Sequence, residues 1–206
     1  MGKETIFKFF KSKGLSDYAV IGLMANIQAE SNFKANNLQN TGNSKLKMTD
    51  EEYTKAVDSG TYSFSKFIRD SQGYGLVQHT FWTRKQSLYE YMKKKGLSIG
   101  DELGQCEFIY TELQRYKKSW NALCNSSSIE EITRVIMTDY EKPADQTEKA
   151  IAKRVGFAEE LWKEFCTKKN FYCVQVGAFV EKDNAEKLVR ELETKGFKGF
   201  IVEKAV

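Results

Sequence analysis

Glu30 is the residue whose placement says most about chemistry. It follows a segment beginning at Ser16 in which apolar residues recur at Val20, Leu23, Met24 and Ile27. That spacing predicts a helix with one buried face. Glu30 continues the stripe, three residues after Ile27. Burial disfavours the charged form of a carboxyl, and the negative end of a helix disfavours it again. A carboxylic acid kept protonated near neutral pH is what a glycosidase uses to protonate a leaving sugar oxygen. The plainer reading is a solvated glutamate at a helix end, the common fate of this residue type.

Some forty residues later comes Gly73-Tyr74-Gly75-Leu76-Val77-Gln78. Gly73 and Gly75 suit a turn that needs positive φ or close backbone approach. Tyr74, Gly75, Gln78, His79 and Trp82 are the expected substrate-binding residues, with Gln78 donating hydrogen bonds to substrate or water. The competing reading makes Tyr74 a core residue and Gln78 a loop-packing one. His79, the only histidine, has no carboxylate or cysteine beside it in sequence, so it is no nucleophilic dyad. It could stack on a sugar or merely pack. Trp82, Tyr62 and Phe81 could form a stacking surface, although core packing is the commoner fate of aromatics. Asp70, just ahead of the turn, is the expected second catalytic carboxylate. Glu51, Glu52 and Asp58 are its rivals, each readable as a solvated helix or turn acid. An Asp70 carboxyl facing Glu30 across roughly 5–5.5 Å would suit a retaining glycosidase, and roughly 6.5–9.5 Å an inverting one.

The elements that would hold these residues are mostly helical. Residues 4–14 read as a short helix closed by Gly14, and Ser16 is a good N-cap for the Glu30 helix. Residues 32–47, rich in Asn, Ser, Thr and Gly, read as loop, 50–57 as a short helix, and Asp58-Ser59-Gly60 as a turn. Residues 62–78 suit a small β-hairpin or an irregular cleft wall. From Phe81 to about Lys168 the pattern is helical, with stripes at Leu88, Tyr91 and Met92, at Leu103, Phe108, Ile109 and Leu113, and at Ile132, Val135, Ile136 and Tyr140. Pro143 ends the third of these helices, and a last helix spans about 147–165.

After the polar linker Thr167-Lys168-Lys169-Asn170 the period changes. Tyr172 to Phe179 alternates as a strand. Ala185, Leu188, Val189 and Leu192 predict a helix over 184–195 capped by Gly196, and 199–206 returns to strand character. The expected fold class is therefore α+β: a mainly helical domain with a small β region over 1–168, then a small βαβ module over 171–206.

Composition narrows the function classes. The chain has 206 residues, one proline and a net charge of +4, enough for one medium domain with a small module. Charges balance after Phe171, so the positive excess lies on the N-terminal region, where it could draw the protein to an anionic wall or simply aid solubility. There is no basic stripe interleaved with aromatics, so no nucleic-acid partner is expected. No run is long enough for a membrane helix, so no membrane partner is expected either. Cys106, Cys124, Cys166 and Cys173 form no Cys-x-x-Cys pair, so neither a metal nor another cofactor is implied, and free thiols are expected. The first fifteen residues lack the apolar core of a secretory signal, so the protein is expected in the cytoplasm until something else releases it.

Ala29-Glu30-Ser31-x-Phe33 followed by Gly73-Tyr74-Gly75-Leu76-x-Gln78 resembles the phage tail lysozyme family of the lysozyme-like superfamily. Stretches at 48–53, 57–62, 83–86 and Tyr140-Glu141-Lys142-Pro143-Ala144-Asp145-Gln146 extend the likeness over roughly residues 5–165. The resemblance implies a lysozyme-like architecture with Glu30 as catalytic acid. It also implies a bacterial peptidoglycan partner and an endolysin-type muramidase that cuts between N-acetylmuramic acid and N-acetylglucosamine, released through a holin-made hole. His79 stands where relatives commonly carry tryptophan. A lytic transglycosylase and a non-catalytic wall-binding phage protein are the alternatives. Tyr172-x-Val174-Gln175-Val176-Gly177-Ala178-Phe179, with Ala185 and Leu188, is similar to the opening of a SPOR domain, a binder of glycan strands, at about half its usual length. So short a unit would expose a sheet edge and an apolar face, which predicts a homodimer through residues 171–206.

Overall fold

A computed structural model describes residues 2–167 and 174–203. The chain divides into two compact units, Met1–Lys168 and Lys169–Val206. The first unit is built around α2 (Asp17–Ser31), which is buried on nearly every side and packs against α1 (Lys3–Ser12), α8 (Lys117–Asn125), α9 (Ile129–Val135) and α10 (Glu148–Phe165). The sequence predicts one buried face. The central position of α2 buries the others as well, Ala19, Ile21, Gly22 and Ala25 among them. Gly22 permits the close approach of α9, since a Cβ there would meet Ile132 Cγ2 at 2.5 Å. Ser16 caps α2 by accepting from the Ala19 amide at 3.1 Å, and Asn32 ends it in the left-handed region.

A second apolar cluster gathers Tyr53 and Val57 of α4 (Asp50–Ser59), Phe67 and Ile68 of α5 (Phe64–Arg69) and Leu88 and Met92 of α6 (Trp82–Lys94). Helix α7 (Glu102–Leu113) faces both clusters, with Cys106, Ile109 and Leu113 in the first and Phe108 in the second. The turn from Gly73 to His79 runs between them. Tyr74 packs in the second cluster, and Leu76 and Val77 pack in the first.

The expected β region is absent from the described residues. The only β pairings there are isolated bridges, Leu38 with Tyr74 and Tyr74 with His79. The expected loop over 32–47 also contains a helix, α3 (Asn40–Leu46), and α5 occupies part of the expected hairpin. The helix α9 passes directly into a π-helix, Ile136–Glu141, which ends at Lys142 with φ 52° just before Pro143.

In the second unit α11 (Lys182–Thr194) forms where helical spacing predicts it, and Gly196 takes the positive φ that closes it. The flanking strands do not form among the described residues: 174–179 and 197–203 are irregular. The α+β class and the βαβ module are therefore corrected: the regular elements among the described residues are all helical. A two-stranded pairing is marginal unless its apolar face is covered, and α11 buries no residue. The dimer expected from strand pairing accordingly has no sheet edge to build on among the described residues. Tyr172, Cys173 and residues 204–206 of that reading lie outside them. The free thiols among the described residues are Cys106, Cys124 and Cys166.

Candidate active site

A cleft of about 1210 Å³ opens in the first unit, and the C-terminal end of α2, the 73–79 turn and the π-helix all contribute to its lining. The carboxylates that line it are Glu30 and Glu141; Gln78, Phe81, Trp82 and Arg84 are further walls. The two sequence motifs meet through one hydroxyl. Ser31 Oγ donates to Leu76 O at 2.9 Å, while also lying 3.1 Å from Ile27 O of its own helix. Gln105 clamps the turn from α7. It accepts from the Leu76 amide at 2.8 Å and donates to Ala35 O and Ile99 O, both at 2.6 Å. Gly75 is required here: its φ is +82°, and a Cβ would lie 2.5 Å from Gln105 Oε1.

Glu30 projects from the last turn of α2 with its side chain 17% exposed. Its Oε1 accepts from Arg154 Nη2 at 2.5 Å. Arg154, on α10, is otherwise buried. Its Nη1 donates to Asn26 Oδ1 at 3.0 Å and to Glu141 Oε2 at 2.8 Å. Asn26 is fixed in turn by donating to Gly22 O and Thr133 O. One guanidinium therefore carries two carboxylates. Burial, and then the charge of Glu30, push the Glu141 carboxyl well above the usual range, with Arg154 opposing.

A second buried set lies alongside. Glu112 of α7 accepts from Arg84 Nε at 3.0 Å, Arg84 Nη2 at 2.8 Å and the Tyr140 hydroxyl at 2.6 Å. The guanidinium of Arg84 also stacks 4.6 Å from the Tyr140 ring centre. Burial alone would raise the Glu112 carboxyl, but His79 and Arg84 outweigh it and hold the carboxyl well below the usual range. His79 is fully buried, and burial together with Arg84 lowers its pKa, so it is neutral near pH 7. Its Nε2 lies 3.2 Å from Glu112 Oε2, and Nδ1 has no partner. The donor on Nε2 satisfies Glu112 and leaves Nδ1 a bare acceptor.

Asp70, the expected second carboxylate, is not brought to the cleft. Although Arg69 and Ser71 line it, the Asp70 side chain points inward and is 6% exposed. There it accepts from Lys85 Nζ at 2.6 Å, from the Gln72 amide at 2.9 Å, and from the hydroxyls of Tyr53 and Tyr62. Lys85 has no exposed surface and lies 4.3 Å from the Phe67 ring centre. A buried ammonium needs a carboxylate, and Asp70 supplies it. Among the rivals, Asp58 binds Lys93, Ser98 and the Ile99 amide. Glu52 closes the capping box of α4 with Thr49, and Glu51 pairs with Lys55 on the helix surface.

The expected substrate contacts divide in the same way. Trp82 and Phe81 stand exposed on the cleft rim, at 50% and 63%. Gln78 lines the cleft, but its amide nitrogen donates to Asn37 O and Gly75 O. Tyr74 is fully buried, its hydroxyl 2.6 Å from Thr54 Oγ1, and His79 is equally enclosed. Neither lines the cleft, because the turn folds both inward. Glu141 and Arg154 escape a reading of local spacing. The one available signal is Glu141 within Tyr140-Glu141-Lys142-Pro143.

A family model for phage tail lysozyme matches residues 2–165, and one for the SPOR domain matches 168–206. None of the curated proteins is similar enough to match the chain. With the model covering most of the chain and the two motif segments joined at one cleft, the chain belongs to the phage tail lysozyme family, as a lysozyme-like peptidoglycan-cleaving protein carrying a peptidoglycan-binding SPOR domain at its C-terminal end.

Proposed function

We propose that the protein is an endolysin-type muramidase that cleaves the β-1,4 bond between N-acetylmuramic acid and N-acetylglucosamine, with Glu30 as general acid. The observation that carries this reading is the partly exposed Glu30 carboxyl at the end of a buried helix, facing a cleft with aromatic walls. A sugar ring laid against Phe81 and Trp82 would have its glycosidic oxygen within the same cleft as that carboxyl. The SPOR unit would keep the enzyme on its polymer and raise the local concentration of glycan.

The placement of Asp70 favours a second reading. A retaining or inverting hydrolase uses a second carboxylate across the scissile bond, and Asp70 is enclosed with Lys85. Glu141 shares a guanidinium with Glu30 instead of facing it across the cleft. A single-acid route, in which the muramyl hydroxyl attacks in place of water, would need only Glu30. Digestion of purified peptidoglycan followed by mass analysis separates the routes. Hydrolysis gives muramyl reducing ends, and the transglycosylase route gives 1,6-anhydro ends lighter by one water. Intact glycan with cut peptides would overturn both.

A further inference from the structure

Among the hydrogen-bonded ion pairs beside Glu30, carboxyls outnumber cations. Three carboxyls lie there: Glu30 of α2, Glu112 of α7 and Glu141 of the π-helix. Two guanidiniums pair with them, Arg84 of α6 and Arg154 of α10, while Arg69 lines the cleft but is exposed to solvent. Arg84 is committed to Glu112 by two hydrogen bonds and to Tyr140 O by a third. The Tyr140 phenol is a neutral donor to Glu112, and the buried His79 imidazole is neutral. Lys142, the residue after Glu141, lines the cleft but is exposed to solvent. Arg154 alone therefore serves both Glu30 and Glu141.

Glu141 is the more enclosed of the two acids. Its side chain is 2% exposed, and its Oε1 is buried with no hydrogen-bond partner. An ionised carboxylate with one bare oxygen in that setting is costly, whereas a protonated one could turn its O–H toward Glu30. The π-helix adds to this picture. Its wider turn sets Glu141 at the cleft, and π turns cluster at functional sites.

We infer that Glu141 is a positioning acid for Glu30, the two carboxyls holding a single proton between them opposite Arg154. This rests on Glu30 being the general acid. Without Glu141, Arg154 and Glu30 would form a one-to-one ion pair. With Glu141, a proton is retained beside Glu30. It crosses to Glu30 and then to the leaving sugar oxygen as the C–O bond breaks toward that oxygen. The pair is then doubly ionised beside Arg154. Water, or a hydroxyl of the muramyl sugar itself, bonds to the anomeric carbon and returns its proton to the pair.

The test is the pH profile of peptidoglycan cleavage by wild type, Glu141→Gln and Glu30→Gln, each as the full chain. Glu141→Gln keeps an acceptor for Arg154 but has no proton to share. Its alkaline limb should move to lower pH by about one unit or more, a loss of about tenfold or more near pH 7, with activity near pH 5 much closer to wild type. A Glu141→Gln profile scaled down equally at every pH would mean a purely structural role and would overturn the inference alone, provided Glu30→Gln is inactive. An active Glu30→Gln protein would instead overturn the general-acid reading beneath it. Infrared spectroscopy keeps the test open if Glu141→Gln does not fold. Wild type at pH 7 should show the C=O stretch of a protonated carboxyl that disappears in Glu30→Gln. Absence of that band from wild type would also refute a shared proton.

Discussion

Asp70 and Glu30 are two acids of the same unit, each bonded to a buried cation, and their surroundings differ in how that cation is shared and in access to the cleft. Asp70 meets Lys85 one to one, and tyrosine hydroxyls and a backbone amide fill its remaining acceptor sites. Glu30 shares Arg154 with Glu141, and one buried carboxyl oxygen of that set has no partner. The first arrangement is complete and closed to the cleft. The second pairs two carboxyls with one guanidinium and opens onto the cleft. The difference teaches that an ion pair with its acceptor sites filled is closed off from a cavity, whereas a shared one beside a cavity is where chemistry is best sought.

The sharpest way to break this comparison is at Glu30. Glu30→Gln keeps the shape and an acceptor for Arg154 but cannot deliver a proton, so cleavage of peptidoglycan should fall about 10²- to 10⁴-fold with little change in thermal unfolding. Retention of more than a tenth of wild-type activity by the folded variant would put Glu30 in the same class as Asp70.

The next largest effect should appear at the other site and in another observable. Asp70→Asn leaves the fully buried Lys85 ammonium without its counter-charge, a loss of about 3–5 kcal/mol by analogy with broken buried pairs. Urea unfolding measures it. Activity per folded molecule should stay near that of wild type, and a selective loss of activity without destabilisation would return Asp70 to the cleft chemistry.

Glu112 sharpens the comparison through pH. Its carboxyl lies below the usual range in the folded state, so the stability it contributes is complete above the ordinary carboxylate range and is lost as pH falls toward the lowered value. Glu112→Gln should therefore cost about 1.5–3 kcal/mol at pH 7, and the gap to wild type should narrow on going to pH 3. A gap that widens in acid would contradict the sign. The smallest effect belongs to the rim. Trp82→Ala should weaken apparent affinity for glycan about tenfold, or ~1.4 kcal/mol, without lowering stability, since half of the side chain is exposed.

Legibility in the sequence followed the reach of each interaction. The Glu30 helix and α11 were readable because apolar spacing and caps such as Ser16 act within a few residues. Helix α3 was hidden by loop-like composition: Gly42 is buried there, where a Cβ would lie only 3.0 Å from both Leu38 and Gln72. The C-terminal strands failed for a related reason, since alternation at Val174 and Val176 forms a ladder only when a partner strand is present. Asp70 looked available because its cation, Lys85, is placed beside it by the fold and not by spacing. Glu141 is not legible because the segment before Pro143 reads as an ordinary helix end. The π turn that points its carboxyl to Arg154, on another helix, leaves no periodic trace.

The most direct test of the central claim is digestion of purified peptidoglycan by wild type, Glu30→Gln and Asp70→Asn at equal folded concentration, with the products analysed by mass. The account predicts glycan fragments cut between the two sugars from wild type and Asp70→Asn, and almost none from Glu30→Gln. Fragments from Glu30→Gln at more than a tenth of the wild-type yield, or uncut glycan with the wild-type protein, would contradict it.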